Sequence, residues 1–151
     1  MRRLSTPILT LTALLLSGVA TADERSEAAI EARQGLLKVV GSYFGPIVGM
    51  ARNQIDYDAD VVAHNAAKVS QLAAMIPDVF RHDTSAAGLA SGSLDHIWDN
   101  QDDFNAKAAT VAERAAALAA AAPDGKAAAM QAFGALGGSC KACHDEYRQQ
   151  D

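Results

Sequence analysis

Residues 126–148 read KAAAMQAFGALGGSCKACHDEYR. The turn signal Pro123-Asp124-Gly125 precedes this stretch, and no proline interrupts it. Met130, Phe133 and Leu136 recur at helical spacing, and Cys140, Cys143 and His144 extend the run. The stretch therefore predicts a long C-terminal helix with two thiols and an imidazole near its end. Cys140 and Cys143 stand at i and i+3, and His144 is i+4 from the first thiol, so all three project from one side.

These are the only two cysteines in the chain. Cys-x-x-Cys-His is the attachment signature of c-type haem, with the thiols bonded to two vinyl groups and the imidazole reaching the iron. A thioredoxin-like redox pair instead calls for a preceding strand and a βαβ surround, and the sequence offers neither. A zinc site needs a fourth ligand from His64, His82 or His96, and the usual zinc spacings are absent. Those three histidines read as solvated helix and loop positions. One covalent haem c per chain is the expectation.

Working back from this segment, three more helical stretches emerge. Glu24 to Ala51 carries Ile30, Leu37, Val40, Phe44 and Ile47 at helical spacing, with Gly45-Pro46 expected to kink or loosen it. A second stretch begins at the capping candidates Asp58 or Asp60 and stops before Pro77, with Val62, Ala66, Val69, Ala73 and Ile76 as its stripe. A third spans Gln101 to Ala122, with Phe104, Val111, Ala115 and Leu118 on one face. Residues 77–100 form a long Gly-, Ser- and Asp-rich connection that still carries Phe80, Leu94, Ile97 and Trp98, so it should pack on the domain. Short turns inside each pair and one long connection between pairs predict an all-α, antiparallel four-helix bundle. Its alanine-rich stripes make a thin core that a large apolar cofactor would fill.

The 151 residues suit one domain. The N-terminal residues MRRLSTPILTLTALLLSGVATA have a basic start, a short apolar run and a small-residue end, the pattern of an export signal removed near Ala22. The domain proper is then residues 23–151. The formal net charge of −5 becomes more negative once Arg2 and Arg3 are gone. No Lys/Arg-rich run exists, which argues against nucleic acid and anionic membranes as partners.

The iron's other axial face decides between two functions. A low-spin electron-transfer haem needs a second strong ligand, and the candidates are Met50, Met75, Met130, His64, His82 and His96. Met130 fails on geometry, lying about 21 Å from His144 along the same helix. Met50 lies beyond Gly45-Pro46, near its helix end. An antiparallel partner should set the first segment opposite His144, and residues 31–40, EARQGLLKVV, hold no Met, His, Cys or Tyr.

With an early Ala32-Arg33-Gln34…Leu37 run, Tyr43-Phe44-Gly45, Ile97-Trp98 and GSCKACHDEYR, the chain resembles the cytochrome c′ family of exported bacterial haem proteins. The resemblance implies thioether bonds at Cys140 and Cys143, with His144 as the single axial ligand. It also implies propionate contacts from Arg33 and Gln34, Leu37 on the distal side, and Arg148 beside the proximal face. A five-coordinate, high-spin iron would follow, since leucine has no lone pair and its bulk excludes water. Incoming gas must displace Leu37, a cost that nitric oxide meets best and carbon monoxide less well. Nitric oxide also weakens the bond opposite itself, so release of His144 is implied. The expected role is a periplasmic, homodimeric gas carrier, sensor or protectant with redox-active iron and a possible small redox partner, not an enzyme. The alternative is a six-coordinate electron-transfer cytochrome of the same fold.

Overall fold

The computed structural model describes residues 21–150. Four long helices dominate: α1 (Ala22–Ala51), α2 (Ala59–Ala73), α4 (Gln101–Ala121) and α5 (Lys126–Tyr147), with a single-turn α3 (Ile76–Val79) after α2. No strand forms among the described residues, and no helix among them is long and apolar enough to cross a membrane. All but the last two residues of the expected export signal lie outside the described residues. Those two are the N-cap and the first residue of α1, where Thr21 and Glu24 make a reciprocal capping box.

The predicted stripes of α2 and α4 are their buried faces, except that α2 ends at Ala73 and leaves Ile76 half-buried in α3, while of the α1 stripe only Ile30 and Ile47 are buried. Val62, Ala66, Val69 and Ala73 of α2 meet Val111, Ala115 and Leu118 of α4, with Ala129 and Leu136 supplied by α5. Alanine at so many of these positions lets the backbones approach closely. Pro46 does not end α1, which continues to Ala51 because Ile47 and Met50 beyond it are fully packed into this core. The turn before α5 needs Gly125, whose φ of 101° is one that side-chain-bearing residues rarely adopt.

Backbone packing runs α1 on α2, α2 on α4 and α4 on α5, whereas α1 and α5 approach each other much less. At one end the gap between them is closed by Phe44 stacked on Phe133, ring centroids 5.5 Å apart. At the other end it opens into a cavity. The connection from α3 to α4 fills part of that opening with two 3₁₀ turns, Ser85–Ala87 and Asp95–Ile97. It is ordered by burial, as its apolar residues predict: Phe80 and Ile97 join Phe104 and Tyr147 in a second, smaller core cluster.

Candidate functional site

α5 delivers the CxxCH motif to the open end of the bundle. Both thiols are free and half-buried. Cys140 packs against the main core and Cys143 against the smaller cluster. Burial pushes both thiols above their ordinary pKa. His144 moves the other way: burial first, then the positive charge of Arg148, holds its imidazole below the usual value. A neutral imidazole keeps a lone pair available to a metal.

Beside these residues lies a cavity of about 290 Å³ whose wall is mainly apolar. Leu37 of α1, Ile76 and Phe80 at α3, and Ile97 and Phe104 face Cys143 and His144 across it. The rim on the α5 side is tied down by a short antiparallel bridge between Ser93 and Arg148. Leu94 N–H donates to the Tyr147 carbonyl at 3.0 Å, and Gln149 N–H donates to the Gly92 carbonyl at 3.0 Å. Gly92 makes that turn with a φ of 70°. Tyr147 also lines the cavity, and its hydroxyl donates to Asp103 Oδ2 at 2.6 Å. Lys107 lies 3.3 Å from Asp103 and 3.2 Å from Glu146, which ties α4 to α5. Burial, then the bond to Asp103, pushes the Tyr147 hydroxyl well above its ordinary pKa.

This donor set fits a covalent haem. A mainly apolar slot lined by Cys143 and His144 lies where a macrocycle would sit, and Cys140 stands one turn back against the main core. A bare metal ion fits poorly, because no cluster of three or more His, Cys, Asp or Glu side chains exists among the described residues. None of the candidate second ligands lines the cavity. Met50 is in the main core with Met130 against it, Met75 is 48% exposed, and His64 packs near Tyr43. His82 lies 3.4 Å from Ser26 Oγ, and the His96 ring packs against Tyr147.

Of the four residues implied only by resemblance, Leu37 and Arg148 line the cavity with His144. Gln34 does not, lining instead a separate groove with Glu27, Glu31 and Leu89. Arg33 is also absent from the wall: it is buried, and its three guanidinium nitrogens donate to the connection after α3. Burial lowers the Arg33 pKa and Asp83 opposes this, so the group stays charged. Sequence reasoning did not assign Phe80, Phe104 or Tyr147 to the site. Tyr147 had a readable signal, three residues after His144 on the same helical face.

The cytochrome C′ family is matched by residues 28–148. Cytochrome c-554 of Cereibacter sphaeroides is 38% identical over 150 residues, covering 96% of this chain and 97% of that protein. The solved cytochrome c′ from Rhodobacter sphaeroides superposes with a TM-score of 0.76 at 34% identity, covering 83% of this chain and 98% of that one. A nitric oxide complex of a leucine-to-isoleucine mutant of cytochrome c prime from Alcaligenes xylosoxidans gives 0.70 at 29% identity, over 83% of this chain and 97% of that one. A four-helix bundle with a CxxCH motif at the end of its last helix defines a c-type haem protein. The chain belongs to the cytochrome c′ family, whose members carry covalently bound haem c.

Proposed function

We propose that this protein is an exported, periplasmic cytochrome whose five-coordinate, high-spin iron binds nitric oxide and, more weakly, carbon monoxide. It acts as a gas carrier, sensor or protectant with redox-active iron, and not as an enzyme. The observation that carries this reading is the cavity wall. Of the histidines and methionines among the described residues, only His144 lines it, and Leu37 stands on the α1 side. The nitric oxide complex of the Alcaligenes xylosoxidans relative adds support.

When bound, the haem supplies the iron to which a gas can attach. Cys140 and Cys143 fix its position through thioether bonds, and His144 holds the iron from the α5 side. Leu37 keeps water out and must move for a diatomic ligand to enter. His144 would be the residue holding the iron, and its imidazole could be released when nitric oxide binds. A polar depression lined by Lys141, Asp145, Arg148 and Gln150 adjoins that imidazole and can receive it. Signal removal after Ala22 and a homodimer formed through α1 and α2 complete the reading. Val39 and Ile55, exposed by 44% and 48%, lie on or beside those helices.

The absorption spectrum of the reduced protein without added ligand tests the central claim. Broad, unsplit visible bands that change on adding nitric oxide or carbon monoxide are expected. Sharp, split bands would refute five-coordination and leave an electron-transfer cytochrome of the same fold. Mass spectrometry of exported protein should give an N-terminus at Asp23, and sedimentation should give a dimer.

A further inference from the structure

Arg33 carries its charge into one of the least exposed positions of the fold, at 2%. Its Nε donates to the Val79 carbonyl at 2.9 Å, its Nη1 to Thr84 Oγ1 at 2.7 Å, and its Nη2 to the His82 carbonyl. The guanidinium also lies over two aromatic rings, 4.8 Å from the centroid of Phe80 and 5.1 Å from that of Trp98. The carbonyl of Phe80 in turn accepts from Trp98 Nε1 at 3.0 Å and Gln101 Nε2 at 3.3 Å. Phe80 is therefore held at its ring by one group and at its backbone by two others.

That matters because the Phe80 side chain lines the haem cavity and packs on Phe104, which lines it too, with centroids 4.8 Å apart. Leu37 stands one turn along α1 from Arg33, on the same helical face. A contact at Arg33 between α1 and the 79–84 segment thus sets how far Leu37 stands from the Phe80 wall. Three partners at three nitrogens of a flat fork suit arginine. Lysine offers one point charge and cannot meet a backbone carbonyl, a hydroxyl and a second carbonyl at once.

We propose that Arg33 is a positioning residue: it clamps the 79–84 segment onto α1 and stacks on Phe80, thereby setting the apolar wall of the haem cavity. Burying a cation here is tolerable only because the fork is satisfied and both ring faces are favourable.

The test compares holoproteins carrying Arg33→Lys, Arg33→Gln and Thr84→Val. Trp98 is the only tryptophan of the chain, so its near-ultraviolet dichroism reports on the stack directly. Both Arg33 variants should lose most of that signal and bind carbon monoxide several-fold faster as the Phe80 wall relaxes. Thr84→Val should move both readouts the same way by less, and it carries the test if Arg33→Gln does not accumulate. Arg33→Lys matching the parent in both readouts would overturn the proposal, because charge alone would then suffice. An unchanged Trp98 signal in Thr84→Val would overturn it as well. The gas rate rests on the function proposed above, whereas the Trp98 signal does not. A parent protein that binds no carbon monoxide would therefore sink that function and leave the clamp to be judged on Trp98.

Discussion

Truncating Leu37 to alanine should accelerate carbon monoxide binding without costing much stability. Leu37 lines the cavity yet is 41% exposed and belongs to neither core cluster, so little packing depends on it. Fully burying a leucine side chain contributes about 1.5–3 kcal/mol relative to exposure. Scaled by the buried share of Leu37, displacing it costs about 0.9–1.8 kcal/mol. At about 1.36 kcal/mol per factor of ten, removing that cost speeds association by about five- to twentyfold. Flash photolysis of the reduced holoprotein measures the rate directly, and thermal unfolding of the same sample checks that the bundle is intact. An unchanged rate in a folded Leu37→Ala protein would mean that Leu37 does not cover the iron, and the argument for distal control would fail.

Leu118→Ala should destabilise the bundle by about 2–5 kcal/mol in denaturant titration, because Leu118 is fully buried in the main core. The visible spectrum should be preserved, since Leu118 does not line the cavity. Cys143→Ser should leave the haem held by Cys140 alone, seen as one unreacted vinyl group in the alkaline pyridine spectrum. Loss of all covalent haem would instead show that Cys140 does not react independently. Tyr147→Phe removes the hydrogen bond that most lowers the pKa of Asp103. A carboxylate whose folded pKa is depressed contributes stability that is full above its unfolded value, about 3.9, and is lost as pH falls through the folded value. Thermal midpoints of parent and variant should therefore differ near neutral pH and converge under acid, and a constant gap would refute the assignment to Asp103.

The bundle was legible because its stripes obey one period. Val62, Ala66, Val69 and Ala73 recur on one face of α2 and are all buried, as are Phe104, Val111, Ala115 and Leu118 on α4. The attachment motif was legible for a different reason: two rare residues and a histidine at fixed offsets admit few chemistries. The first segment was harder. Leu37 shares a period with Ile30 and Ile47, yet only those two are buried by protein, because α1 leaves the core where the cavity opens. Gln34 follows Arg33 directly, but one residue turns a helix by about 100°, so the two side chains face different surroundings. Residues 77–100 have no period to read. Their order depends on a buried arginine on another helix, and patterning counts arginine as surface.

Fold and site meet in the pair of clusters that the two thiols address. Cys140 packs against the core shared by all four long helices. Cys143 packs with Phe80, Ile97, Phe104 and Tyr147, a cluster assembled largely by the connection and the end of α5. A haem joined to both cysteines would therefore bridge the two clusters across the gap between α1 and α5. The thin alanine core is a consequence of this division. Close helix packing closes one end of the bundle, while the other end is left for the prosthetic group to fill. Attachment should stabilise the connection far more than the α2–α4 interface, since the connection's small cluster of Phe80, Ile97, Phe104 and Tyr147 itself lines the cavity, whereas the α2–α4 interface lies in the main core. Hydrogen exchange compared between haem-free and haem-bound protein should show protection gained mainly in residues 79–98. A uniform gain over α2 and α4 would instead make the whole bundle depend on the haem.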